Sequence, residues 1–186
     1  MNYSLIAKRY ANALLGLSIE MNVLEKIKKD IDLFVSVCKS NKDLRLLLKS
    51  PIIKPDKKMA ILKDIFEGNI HKISLAYFMI ITRKRREPYL IAIAEQFIIL
   101  YKQYKNILTV HLQTAEKINN NIRESIIGLL KKQTKGEIEL IEEIRKEIIG
   151  GFILEYEDNK YDASISTELL ELKQAIAEFN LYERKF

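Results

Sequence analysis

The chain has 186 residues, 48% of them hydrophobic, with a net charge of +6. That length allows one or two domains with real cores, and the single cysteine, Cys38, excludes an internal disulfide. The start, MNYSLIAKRYANALL, lacks a signal-peptide pattern, and the longest apolar stretch, Ile73 to Ile81, is about half of the roughly 20 residues a spanning helix needs. A soluble protein is expected, one able to sit beside a membrane. The charge is uneven: residues 1–105 carry 20 Lys/Arg against 10 Asp/Glu (+10), and residues 106–186 carry 11 against 15 (−4). Two modules with different partners would show this asymmetry, and so would a charged surface that only confers solubility.

Residues 4–17 have helical periodicity. Ile6, Tyr10, Ala13, Leu14 and Leu17 share one arc, and Ala11 and Leu15 widen it beyond the roughly 100° an ordinary surface helix buries. Such a helix is covered from two sides, either as the centre of a bundle or by its own bundle and a partner. A second helix is expected over Met21–Cys38 and a short third over Lys42–Lys49. SPIIKPDKK is a turn, with Pro55 and Asp56 opening a fourth helix that runs to Phe66. The fifth runs from His71 to Arg86, and Pro88 opens a sixth that ends near Tyr104. Six helices with short connections are the pattern of an antiparallel bundle. Within the fifth, ISLAYFMII is apolar on nearly every side, interrupted only by Ser74. Either this helix is central or one flank is an exposed apolar strip. With the two-sided first helix it makes a candidate groove for an amphipathic helix.

The pattern changes at Asn106. ILTVHLQTA alternates, with Leu108, Val110 and Leu112 on one face, and predicts a strand. Ile118–Lys132 reads as a helix ending in a turn at Gly136, and EIELIEEI as a second strand. IIGGFILEYED reads as a third strand containing a glycine pair, which marks a bulge or a close backbone approach. Ser164–Asn180 is a closing amphipathic helix. The fold class expected is therefore mainly α: a six-helix bundle over residues 1–105, then a small α/β domain over 106–186.

Little in the chain carries chemistry. His71 and His111 stand apart with no ligand spacing around them, so neither a metal nor any other cofactor is expected. Cys38 lies on an apolar helix face and reads as core. Gly150-Gly151 lacks a phosphate-loop context. The acidic pairs Glu142–Glu143 and Glu155, Glu157, Asp158 read as solvated faces. Arg83-Lys84-Arg85-Arg86 fits a helix C-terminus, where cations meet the negative end of the dipole, and also fits a nucleic-acid contact. GGFILEY is a poor RNA-binding strand, because its half of the chain is acidic.

These motifs, in this order, resemble the delta subunit of bacterial F-type ATP synthases, the counterpart of the mitochondrial oligomycin-sensitivity-conferring protein. IAKRYANALL is similar to that family's first helix at Ala7, Arg9, Tyr10, Ala11, Ala13 and Leu14. LLLKSPIIKPDKKMAILKDIF is similar to its leucine-x-x-proline turn and lysine-bearing helix. Arg86, eleven residues before Phe97, sits where the family has an arginine. TVHLQTAEKI is similar to the strand after the bundle, and IIGGFILEYEDNKYDASIS to the glycine-glycine strand and hairpin exit at Gly150, Gly151, Asp162, Ser164 and Ile165. The family's asparagine-glycine-arginine turn is replaced by Lys84-Arg85-Arg86.

The resemblance implies a non-catalytic stator subunit that joins the catalytic head to the peripheral stalk and resists rotor torque. It implies a bundle that binds the N-terminal helix of an alpha subunit through its first and fifth helices. That role carries over to Tyr10, Ala13 and Ile80, with Ile6 added because it shares the Tyr10 face. It also implies a C-terminal domain that binds the C-terminal ends of the b subunits, no nucleic-acid partner, a monomer when isolated, and a peripheral place on the cytoplasmic face of a bacterial plasma membrane. The rival expectations are a nucleic-acid-binding protein acting through its basic half, and an enzyme built on the mixed half. The role of the tail Leu181–Phe186 is unassigned.

Overall fold

The computed structural model describes residues 3–133, 136–157 and 159–183. Asp158 of the acidic run and residues 184–186 of the tail fall outside them. The chain divides after Tyr104 into two compact units.

The first unit holds α1 (Tyr3–Glu20), α2 (Leu24–Ser40), α3 (Lys42–Lys49), α4 (Pro55–Phe66), α5 (Lys72–Arg83) and α6 (Leu90–Tyr104). Helix ends differ from the sequence expectation by up to three residues, at Glu20, Leu24, Ser40, Arg83 and Leu90 among them, and two of the shifts have a backbone reason. The second helix starts at Leu24 and not Met21, because Asn22 takes a left-handed φ of 56° between α1 and α2, a conformation asparagine tolerates. The fifth ends at Arg83 and not Arg86, because Arg85 turns left-handed at φ 56°. Only the first residue of the basic run therefore belongs to the helix. A single 3-10 turn, Glu87–Tyr89, precedes α6.

α1 and α2 pack on α6, and α4 packs on α5. The centre is a triad of rings: Phe34 lies 4.7 Å from Phe78 and 5.6 Å from Phe66, centroid to centroid, with Phe66–Phe78 at 6.0 Å. Tilted and edge-on pairs such as these add about 0.5–1.5 kcal/mol each beyond area burial. α3 is capped by Asn41, whose Oδ1 accepts from the N–H groups of Asp43 and Leu44. α5 is capped from a distance: the buried Asp30 carboxylate of α2 accepts from the His71 N–H at 2.9 Å and the Ser74 hydroxyl at 2.5 Å. Ser74, the one polar residue within ISLAYFMII, is thus fully buried, as Ile81 is, and Ile80 is half exposed. Lys58 of α4 is fully buried, and its ammonium donates to the carbonyls of Leu48 and Ser50 and to the Glu87 carboxylate. This one side chain fastens the Leu48–Pro51 turn to the start of α6.

The second unit is a four-stranded sheet of order β2-β1-β3-β4. β1 (Ile107–Thr114) leads through α7 (Asn120–Gln133) to β2 (Glu137–Ile144), which pairs parallel to β1. β3 (Gly151–Tyr156) pairs antiparallel to β1, and β4 (Asn159–Ser164) closes a hairpin with β3 before α8 (Ile165–Glu183). The alternation in β1 works as expected: Leu108, Val110 and Leu112 join Leu130 of α7 and Leu154 of β3 in a buried cluster. The C-terminal half has one strand beyond the three that its periodicity predicts, β4. The glycine pair also moves. It lies at the entrance of β3, with Gly150 before the strand and Gly151 its first residue. Close approach to backbone requires the glycine at Gly151, whereas Gly150 faces only the end of a flexible side chain. A Cβ on Gly151, whose φ is +75°, would fall 2.0 Å from the Ala163 carbonyl oxygen of β4, and one on Gly150 would fall 2.7 Å from Ile165 Cδ1.

Candidate functional site

Helical spacing gives α1 a buried face and an open strip beside it. Ala7, Ala11, Leu14 and Ser18 are buried against the bundle. Beside them runs a strip of Ile6, Tyr10, Ala13 and Leu17, within about 60° of one another at 100° per residue; Ile6 and Tyr10 are half-buried, Ala13 and Leu17 exposed. α5 repeats the arrangement. Ser74, Phe78, Ile81 and Thr82 face inward, Ile73 and Tyr77 are half-buried, and Ala76 and Ile80 are exposed, Ile80 at 50%. The broad apolar arc expected of the first helix is therefore present, with Ala7, Ala11 and Leu14 on its covered side and Ile6, Tyr10 and Leu17 on its open shoulder.

Two side chains reach Tyr10, one from the α5 strip and one from the turn after α5. The Tyr77 hydroxyl donates to the Tyr10 carbonyl oxygen at 2.9 Å. Burial, reinforced by the neighbouring Tyr10 phenol, holds that hydroxyl protonated well above the usual phenol range. The Arg86 guanidinium lies over the Tyr10 ring, 5.3 Å from its centroid, and donates to the Tyr10 hydroxyl. Stacked guanidinium and ring attract through the ring's quadrupole. Of the residues singled out by sequence, Ile6, Tyr10 and Ala13 share one strip, Ile80 lies on the other, and Arg86 is brought onto Tyr10. Tyr77 was missed. It sits three residues before Ile80, on the same side of α5, and that spacing was the available signal.

The remaining motif residues lie in the second unit. Asp162 accepts from the Ser164 N–H at 3.1 Å and the Ser164 hydroxyl at 2.7 Å through one oxygen, and from the Thr167 hydroxyl at 3.2 Å through the other. Ser164 Oγ in turn accepts from the Thr167 N–H at 3.3 Å, capping α8. These bonds, the Ser164 hydroxyl's first, hold the Asp162 carboxyl below the ordinary aspartate range. Gly150 and Gly151 place the same α8 start against β3, and the Gly150 carbonyl accepts from the Ile165 N–H at 3.0 Å.

For chemistry, the arrangement offers apolar contact and a few fixed polar bonds. Among the described residues no three His, Cys, Asp or Glu side chains converge as metal ligands would. Burial pushes the Cys38 thiol up to about 11, against a smaller opposing pull from Arg45. No described helix is long and apolar enough to cross a membrane.

Residues 6–176 match the family model described as ATP synthase delta (OSCP) subunit. Among similar proteins, the ATP synthase subunit delta of Cytophaga hutchinsonii is 31% identical over 178 residues, covering 96% of this chain and 97% of that protein. That of Amoebophilus asiaticus is 34% identical over 177 residues, covering 94% and 96%. Among solved structures, a chain in the cryo-EM structure of the Toxoplasma gondii mitochondrial ATP synthase hexamer superposes with a TM-score of 0.71 at 22% identity, over 92% of this chain and 97% of that one, a likeness of fold.

Proposed function

This chain belongs to the ATP synthase delta (OSCP) subunit family, whose members are structural, peripheral components of an enzyme complex, and from that premise we propose that it is the stator connector between catalytic head and peripheral stalk. Its first unit binds the N-terminal helix of an alpha subunit along the α1 and α5 strips. Its second unit binds the C-terminal ends of the b subunits. The subunit performs no catalytic step of its own, is monomeric when isolated, and works at the cytoplasmic face of a bacterial plasma membrane. The observation that carries this reading is the pair of partly open apolar strips bridged by Tyr77–Tyr10 and Arg86–Tyr10.

The mechanism is mechanical. A turning central shaft drags the head with it unless a connector resists, and resistance requires contacts that are released slowly. Ile6, Leu17 and Ile80 supply apolar area that leaves water only when a partner covers it, at about 1.5–3 kcal/mol per fully buried side chain before entropic losses. The bridges preset the Tyr10 and Tyr77 side chains, so little ordering entropy is lost on docking. The experiment is to titrate the chain with a peptide of the alpha subunit's N-terminus. Tyr10→Asp and Ile80→Asp are expected to weaken binding at least about tenfold with the fold retained. Unaltered affinity in both variants, or a chain that ignores the peptide and binds DNA or RNA with steep salt dependence, would reject the reading.

A further inference from the structure

Three features that packing alone does not call for meet in the first unit at the turn over residues 85–87. The first is the buried pair of Lys58 and Glu87. Replacing a buried ion pair with packed apolar side chains is often neutral or stabilising, because both charges must leave water to form it. Here the balance is poorer still. Lys58 donates to the Leu48 and Ser50 carbonyls and to Glu87 Oε1, whereas Glu87 Oε2 is buried without a partner. What the pair does achieve is position: it holds the Glu87 side chain, and with it the backbone of the turn, in one place.

The second feature is Arg85. α5 closes as a Schellman motif, with the Arg86 N–H on the Ile81 carbonyl at 3.0 Å and the Arg85 N–H on the Thr82 carbonyl at 2.9 Å. The left-handed residue of that motif is usually glycine, and here it is an arginine at φ 56°. Backbone strain of this kind persists where the surroundings over-determine the conformation. The third feature is Arg86 itself. Its N–H is held by Ile81, its carbonyl accepts from the Tyr89 N–H at 3.1 Å, and its neighbour Glu87 is pinned by Lys58. An exposed arginine has many rotamers open to it. This one lies over the Tyr10 ring and donates to the Tyr10 hydroxyl.

We propose that Lys58 is a positioning residue for the α1–α5 strip: through Glu87 it fixes the backbone of Arg86, and Arg86 sets the Tyr10 ring for the alpha-subunit helix. Lys58 is fully buried and meets no partner itself. This rests on the reading that the strip binds that helix, and it adds a determinant of affinity from α4, a helix that contributes nothing to the strip. The physical effect is on freedom and not on contact. A ring already set loses less entropy on docking, so releasing it lowers affinity while every contacting side chain is still present. Tyr77 acts separately, because its hydroxyl holds the Tyr10 carbonyl and not the ring.

The test uses the full chain, a fluorescent peptide of the alpha subunit's N-terminus from the same organism, and the ring resonances of Tyr10 in the free chain, identified by their loss in Tyr10→Phe. Lys58→Met is expected to weaken binding by about three- to tenfold, and Arg86→Met at least as much. The double variant should bind no more weakly than Arg86→Met alone, because both substitutions act on one orientation of Tyr10. The effect of Tyr77→Phe should instead add in full to that of Lys58→Met. The Tyr10 resonances should move in the same direction in Lys58→Met and Arg86→Met. Glu87→Gln should move them less in that direction, and it carries the test if Lys58→Met does not fold. Tyr10 resonances at their wild-type positions in the folded variants, or a Lys58→Met effect on affinity that is as large without Arg86 as with it, would make Lys58 structural only and overturn the proposal. If wild type ignores the peptide, the alpha-subunit reading fails, and the resonances alone decide whether Lys58 positions Tyr10.

Discussion

Lys58 and Glu87 form an ion pair at 2.6 Å in which both side chains are almost wholly removed from water, at 1% and 7% exposure. The lysine also satisfies two carbonyls, whereas the second carboxylate oxygen of Glu87 has no hydrogen-bond partner. The pair links the turn after α3 to the turn before α6, so it fixes two connections across the bundle at once. Removing one partner of such a pair strands the other charge and costs about 3–5 kcal/mol. Lys58→Met is therefore expected to lower the stability of the first unit by about that amount in urea unfolding. Glu87→Gln, which keeps an acceptor for Lys58, should cost distinctly less. Equal losses would mean that the charge pair, and not the carbonyl contacts, carries the whole contribution of Lys58.

Asp30 makes a smaller prediction of the same kind. Its carboxylate serves as a remote cap for α5 through the His71 N–H and the Ser74 hydroxyl. Asp30→Ala leaves two buried donors without a partner, at about 1–3 kcal/mol. Ser74→Ala removes one donor and should cost about 1 kcal/mol. In the double variant the losses should fall short of additive, because both act on one contact, and a thermodynamic cycle measures the shortfall.

Asp162 predicts a pH dependence. Its folded-state carboxyl is held below the ordinary range by bonds from Ser164 and Thr167. The unfolded chain then binds the proton more readily, so stability rises with pH across this interval. The contribution is complete above the ordinary aspartate range and is lost as pH falls through the depressed folded value. Urea unfolding of the full chain from neutral pH down to pH about 3 should show an acid decline that is smaller in Asp162→Asn. A decline of the same size in both would locate the acid sensitivity elsewhere.

Cys38 predicts a protection. A buried thiol pushed up to about 11 holds almost no thiolate at neutral pH, and the thiolate is the reactive form. An aromatic disulfide reagent should label the native chain only at the rate of opening, and labelling should become fast in urea. Lys58→Met should accelerate it, since opening becomes less costly when the bundle is weakened.

Much of the architecture was legible because it is written in periodicity. The six helices of the first unit followed the apolar repeat, with Pro55 opening α4 and Pro88 standing in the turn before α6, and the alternation of Leu108, Val110 and Leu112 declared β1. What escaped lacked such a signal. β4 reads NKYDAS, with three exposed residues at its start; an edge strand of that composition exists because β3 offers it hydrogen bonds. The left-handed turn at Arg85 is imposed by the junction of α5 with the turn before α6. Lys58 looked like its neighbours Lys54, Lys57 and Lys63 and differs from them only in what the fold brings within reach. In the candidate interface, sequence supplied Tyr10 and Arg86 separately. Their stacking depends on that turn at Arg85, which no local pattern announces.

The first helix inverts a habit of substitution. Its covered face sets the small Ala7 and Ala11 beside the fully buried Leu14, and its open shoulder carries Ile6 and Leu17. A saturation scan of α1 should accordingly find the small covered side chains among the least replaceable: enlarging Ala11 to leucine forces extra methylenes into a filled space at about 1–3 kcal/mol, whereas exchanging Leu17 for methionine or lysine leaves folding almost untouched. Mutational tolerance along this helix would then separate what the bundle requires, at Ala7, Ala11 and Leu14, from what a partner requires, at Ala13 and Leu17.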